Sequence, residues 1–139
     1  MSLVKIRDGI SPDLRRRAAA ASVTRPHLLA MGQAVKSLGV QAFTDGSKRA
    51  MAWAPRQDDK PHRLLQLSTM LRKSLRVTRL TTREVGVGSD RPYAAIHQLG
   101  GDDMPARPYL PFYPNGQMTQ LGKQRVERAL AASLRVRGL

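Results

Sequence analysis

The stretch LLQLSTMLRKSLRVTRLTTREVGVGS, residues 64–89, changes its period part-way along. Leu64, Leu67, Leu71 and Leu75 recur at intervals of three and four, which lines them along one face of a helix. A helix is therefore predicted over 61–75, with Arg63, Arg72 and Lys73 elsewhere on its surface. After Leu75 the period falls to two. Leu75, Val77 and Arg79 alternate with Arg76 and Thr78, and Val85 and Val87 alternate with Glu84 and Gly86. That pattern predicts two short strands joined by a turn near Thr81-Thr82.

Further helices follow from the same reasoning carried outward. Ser11-Pro12-Asp13 joins an N-cap type, a residue suited to the first helical position and an acid in the first turn, so 14–21 is predicted helical. Thr24-Arg25-Pro26 is either a kink or a second helix start. Beyond it Leu28, Leu29, Met31, Ala34, Val35, Leu38 and Ala42 predict an amphipathic helix reaching about Phe43, with Gly32 and Gly39 weakening it or allowing close packing. Thr44-Asp45-Gly46-Ser47 reads as a turn, and 46–61 as a polar, irregular loop. Trp53, the sole tryptophan, lies in that loop; it is expected to be exposed, in a segment mobile in the free subunit and ordered by neighbours. At the other end, 118–136 reads as a helix with a Leu121/Val126/Leu130/Leu134 stripe.

The chain of 139 residues fits one compact domain. It is 41% hydrophobic but only 4% aromatic, so the expected core is Leu, Val, Ala and Met rather than stacked rings. Twenty-four Lys and Arg against ten Asp and Glu give a net charge of +14, which favours polyanionic partners. The excess is dispersed among Arg15-Arg16-Arg17, Lys48-Arg49, Arg72-Lys73 and the Arg135/Arg137 pair, each of which alone reads as a solvated face. No zinc finger, RNP-like string or helix-turn-helix accompanies the charge, so contact with nucleic acid is expected through phosphates without sequence readout. There are no cysteines, no run long enough to span a membrane and no signal-peptide pattern at the N-terminus, so synthesis in the cytoplasm is expected.

No reaction emerges from the residues. His27, His62 and His97 are isolated, without a second ligand type at metal spacing. Ser68-Thr69 falls on a predicted helix, and Asp58-Asp59 and Asp102-Asp103 fall in loops. Gly86-Val-Gly88 and Gly100-Gly101 lack the spacing of a phosphate loop. Neither an enzyme nor a cofactor or metal site is expected.

The segment 93–112 is the most informative. Tyr93-Ala-Ala-Ile-His-Gln-Leu-Gly-Gly fits either a strand or a helix, and the Gly pair permits a sharp reversal at positive φ. Four of the nine prolines lie in 105–114, which is therefore expected to be extended and ordered. Pro105 and Pro108 stiffen the return, and Arg107 between them has a fixed direction, suited to a carboxylate or carbonyl on a neighbour. The plainest reading is a rigid corner with His97 hydrogen-bonded inside it.

The strings YAAIHQLGG and MPARPYL resemble the signature of the phage virion morphogenesis family, the tail-completion proteins of Mu-like phages and their relatives. The resemblance runs through most of the chain in order. It takes in the helix ending at Phe43, Trp53-Ala-Pro55, LSTMLRKSL at 67–75, VGVGS at 85–89 and the final helix. Leu67-Ser68-Thr69 departs from the family's Thr-Gly-x-Leu pattern, and the loop before Trp53 lacks its Pro-Gly turn.

The resemblance implies a single α+β domain over 1–139, with helices packed on a small antiparallel sheet and long loops. It implies a structural role in tail completion and head–tail joining, as a homo-oligomeric ring, a hexamer, around the DNA channel in the virion neck. Adjacent connector and tail-tube or terminator proteins would be its neighbours, with non-specific contact to packaged DNA and no membrane. Trp53, Tyr93, His97, Gln98, Arg107 and Pro108 are the motif positions it marks, serving either fold or interface. Arg15, Arg16, Arg17, Arg135 and Arg137 are the candidate basic residues for the channel or an interface. The competing readings are a tail terminator or head–tail connector, or a basic non-specific DNA-binding protein.

Overall fold

The computed structural model describes residues 24–54, 69–102 and 104–136, together with the backbone of residues 2–5. The predicted helix over 14–21 and the Leu64/Leu67 end of the helix over 61–75 lie outside the described residues.

Helix α1 (Arg25–Ala42) begins at Thr24, whose extended backbone leaves the helix at its N-cap. His27, at the third helical position, does what a glutamate does in a capping box: its Nδ1 accepts the Thr24 N–H at 3.0 Å. Pro26 sits in the first turn, where its missing N–H costs nothing, so Thr24-Arg25-Pro26 is a helix start rather than a kink. His27, Leu28, Met31, Gly32, Val35, Leu38, Gly39 and Ala42 form the buried face. Gly32 is where the helix meets the sheet. A Cβ there would stand 2.6 Å from Val85 Cγ2, so only glycine permits this approach.

The short helix α2 (Thr69–Ser74) buries Leu71 and leads through the buried Leu75 into strands β2 (Arg76–Leu80) and β3 (Val85–Ser89). Thr81 closes the hairpin: its Oγ1 accepts the N–H groups of Arg83 and Glu84, and its own N–H bonds Glu84 O. A third strand, β1 (Ser2–Lys5), pairs antiparallel with the far side of β3. The sheet order is β1-β3-β2, which makes β3 central and explains why all five of its residues are buried. Four residues at the chain's start give too short a pattern for sequence reading, and β1 was not anticipated.

Strict alternation fails in β2. Val77 stands opposite Val87, and Arg79 opposite Gly86, so Thr78 is a bulge. One extra residue exchanges the faces beyond it. Arg79, expected on the same face as Val77, is exposed and pairs with Glu84 at 2.7 Å. Leu80 takes its place and packs, with Val77, against the core.

Helix α3 (Ala94–Leu99) resolves the strand-or-helix alternative for the Tyr93 segment, and α4 (Gln120–Val136) packs along α1. Thr119 caps α4, accepting the Gly122 N–H on its Oγ1 at 3.0 Å. The buried stripe runs Gly122, Val126, Leu130, Leu134 at intervals of four. Leu121, assigned to the stripe by sequence, stands about 140° away from Val126 around the helix and is only half-buried.

The chain is thus α+β, with helices on a small antiparallel sheet. The core does contain Leu, Val, Ala and Met, but against the expectation of a core without packed rings it also takes in most of the scarce aromatics. Phe43, Trp53, Tyr109 and Phe112 are all buried, with Phe43 edge-on to Trp53 at 6.0 Å and tilted against Tyr109 at 5.5 Å.

Leu130 is fully buried between α4 and the core. Leu130→Asp should lower the unfolding free energy by more than about 3 kcal/mol in urea titrations, through an unpaired buried carboxylate and lost packing. Leu121→Asp should cost no more than about 1 kcal/mol. Equal costs at both positions would contradict the stripe.

Candidate functional site

Residues 107–112 run through the interior outside the three-stranded sheet, bending at Leu110 and Pro111 and pairing only through an isolated bridge between Phe112 and Met118; all six are buried. Pro108 and Pro111 have no N–H to give a ladder, so a strand partner would be poorly matched here. Buried backbone groups nevertheless need partners. They find them one by one, mostly on side chains.

Gln98, 2% exposed on α3, supplies three. Its Oε1 accepts the N–H groups of Tyr109 at 3.1 Å and Leu110 at 3.0 Å, and its Nε2 donates to Phe112 O at 2.9 Å. Two donors on one side and an acceptor on the other fix the amide's orientation. Trp53 Nε1 donates to Pro108 O at 2.9 Å, Arg107 N donates to His97 O at 2.8 Å, and Thr119 N donates to Pro111 O at 3.0 Å. Tyr109 Oη closes the knot by donating to Ala94 O at the start of α3.

The turn leading into this segment depends on Gly100. Its N–H bonds Ile96 O to end α3, and its φ of 81° suits glycine alone; a Cβ would also meet Ala106 N at 3.0 Å. Gly101 and Met104 then form an isolated antiparallel bridge before the chain returns.

The six motif positions therefore converge. Trp53, Gln98, Arg107 and Pro108 make or receive bonds of the knot, His97 contributes its carbonyl, and Tyr93 sets its ring edge-on to the His97 imidazole at 5.8 Å. Three expectations change as a result. Trp53 is 8% exposed and anchored, not an exposed loop residue; the described part of its segment, 46–54, starts with a 3-10 turn (Gly46–Lys48) and folds back against Phe43. The carbonyl reached by Arg107 is that of Ala54 in the same chain, at 3.2 Å from Nε. His97 holds the corner by its backbone, while its buried ring Nδ1 finds no hydrogen-bond partner among the described residues.

Among the basic clusters, Arg49 is not part of a solvated face. Its Nε donates to Ala42 O at the end of α1, and its guanidinium lies 3.7 Å over the Trp53 ring. Arg135 is exposed in the last turn of α4. Arg15, Arg16, Arg17 and Arg137 lie outside the described residues. Sequence reasoning missed Phe43, Tyr109 and Thr119 as parts of the knot. It also passed over the exposed Ile96, Leu99 and Met104, although the three-residue spacing of the first two would have shown them had the segment been read as helix.

A family model of the phage virion morphogenesis family matches residues 9–135. The chain belongs to that family. No curated protein and no solved structure matches it. Membership in a virion morphogenesis family makes this a phage protein associated with building the particle, and the motif strings that suggested it are the ones the knot ties together. Among the described residues no acid–histidine cluster suits a metal ion, and no helix is long and apolar enough to cross a membrane.

Two expectations test the knot of this virion morphogenesis protein. Gln98→Met leaves two N–H groups and one C=O buried without partners, at about 1–3 kcal/mol each. Unfolding followed by Trp53 emission should show a loss above about 3 kcal/mol, and a loss below about 1 kcal/mol would mean that the amide is dispensable.

The second concerns pH. Burial of the His97 ring, reinforced by the nearby Arg107 charge, holds its pKa below the ordinary 6.5. Above that value the imidazole is neutral in both states and its contribution is fully present. As pH falls below it, the unfolded chain takes up the proton first and stability declines. His97→Gln should flatten the fall in melting temperature between about pH 7 and pH 5; an unchanged slope would rule out this residue as its source.

Proposed function

We propose that this chain is a structural, non-catalytic subunit of the phage neck. It completes the tail and joins it to the head as a homo-oligomeric ring, hexameric around the DNA channel, between a connector and the tail-tube or terminator proteins. The observation supporting this is what the motif residues do in a member of a virion morphogenesis family. Trp53, Gln98, Arg107 and Pro108 lock one buried segment into a rigid subunit, as suits a part held between other parts. Its site of action is then the virion, after synthesis in the host cytoplasm.

The net charge of +14 suits a ring through which DNA passes. Cations such as Arg135 would meet phosphates without reading bases. The same charge also favours a second reading, a free non-specific DNA-binding protein.

Particles assembled without the chain should accumulate as filled heads and unjoined tails, and electron microscopy of intact particles should find it at their junction. Joined particles lacking the chain would overturn the neck reading. For the isolated chain, DNA affinity should fall log-linearly with salt, be equal for unrelated duplexes and be weak at physiological salt. Tight binding there would favour the second reading, and a preference of about a hundredfold for one sequence would contradict phosphate contact altogether.

A further inference from the structure

The turn after α3 carries an apolar tip. Ile96 and Leu99, three residues apart on one face of the helix, are 45% and 54% exposed, and Met104 is 36% exposed. They form one surface. A Cβ on Gly101 would lie 3.6 Å from Ile96 Cγ2, and Gly101 is bridged to Met104 by backbone bonds of 3.0 and 3.3 Å. The tip is rigid as well, because the His97 carbonyl and the Gln98 amide behind it are both fixed by the knot. Little ordering would be needed when a partner covers it.

Its charge distinguishes it from the rest of the surface. Asp102, exposed at the end of the turn, makes no hydrogen bond or ion pair among the described residues. The other described acids are engaged: Glu84 with Arg79, Asp90 near Arg76 and Arg91, Asp45 with Ser47, and Glu127 with a partner of its own. The tip is therefore apolar surface beside an unpaired acid, on a chain of net charge +14. An acidic partner would be drawn to the cationic faces and repelled here. A partner as basic as this chain is repelled generally and attracted here. We infer that the tip of Ile96, Leu99, Met104 and Asp102 docks on a basic face of a second copy of this chain.

Tip-to-tip pairing would set one Asp102 near another, so the contact is head-to-tail. Head-to-tail contacts repeat until they close a ring or extend a fibre. The inference rests on the ring reading above and gives the ring its subunit contact.

The chain has no cysteine, so Leu99→Cys carries a benzophenone photocrosslinker at one site. Illumination of the purified chain and of assembled particles should give adducts at multiples of the 15.4 kDa chain. Sedimentation of Leu99→Lys and Asp102→Lys should show self-association weakened by about tenfold or more, as expected for loss of a central contact. Unchanged Trp53 emission and melting would show that the fold is intact. Adducts only to a different virion protein, no adducts, or wild-type association of both folded variants would overturn the contact. The two readings fail separately. A chain present at the junction whose tip labels another protein leaves the neck reading standing. A chain absent from particles removes that reading, while the self-association of the purified protein still decides the contact.

Discussion

A buried segment with two prolines can take few of its hydrogen bonds from a neighbouring strand, here one bridge between Phe112 and Met118, and the Gln98 side chain meets most of what remains. One amide bonds three backbone groups of residues 109–112, and the indole N–H of Trp53 and the backbone of Thr119 bond two more. The low dielectric that makes each bond strong makes each missing one costly, so these groups act together. Three elements distant in sequence, the end of the 46–54 segment, α3 and the start of α4, are positioned by their bonds to this one segment. The packing of Phe43 between Trp53 and Tyr109 extends the same arrangement to the end of α1.

That arrangement explains how a chain with few aromatics builds a defined core. Spread evenly, six aromatic side chains would add little specificity. Four of them, Phe43, Trp53, Tyr109 and Phe112, gather at one junction, filling the space where the helix end, the loop and the buried segment meet, and the polar atoms of Trp53 and Tyr109 help to satisfy the buried backbone. Away from the junction the core depends on aliphatic packing of α1 against β3 and α4, where Gly32 lets the helix approach Val85.

Local signals carried most of the regular structure. The three-and-four spacing of Leu28, Met31, Val35, Leu38 and Ala42 gives α1 nearly to the residue, and the period change after Leu75 gives the hairpin. Where a single residue alters register, as Thr78 does, alternation places Arg79 and Leu80 on the wrong faces, because a bulge has no composition of its own. The motif residues were identified as a group, yet their roles depend on contacts over 53 or 55 positions, such as Arg107 to Ala54 and Trp53 to Pro108. A polar segment around one tryptophan reads as an exposed loop until the acceptor for its N–H is known. The acceptor is a proline carbonyl, which no periodicity marks.

The charge of the subunit also reads differently once its cations are placed. Arg49 covers the end of α1 and stacks on Trp53, Arg107 is buried against the Ala54 carbonyl, and Arg76 and Arg79 stand beside acids. These cations keep their charge, but several serve the subunit's own packing rather than an external anion. For the field outside, the Debye length of about 8 Å at physiological salt means that the general repulsion between two approaching copies fades with distance, while charges at the contact itself act most strongly. The charges within one contact then decide whether two basic subunits can associate. In the proposed contact, Asp102 at the apolar tip, unpaired among the described residues, would supply the local sign for a basic face of a second copy while the net charge stays at +14. A uniformly basic surface could line a channel but would resist assembly. On the proposed reading, a basic surface with an acid-edged apolar tip would meet both requirements in a single subunit.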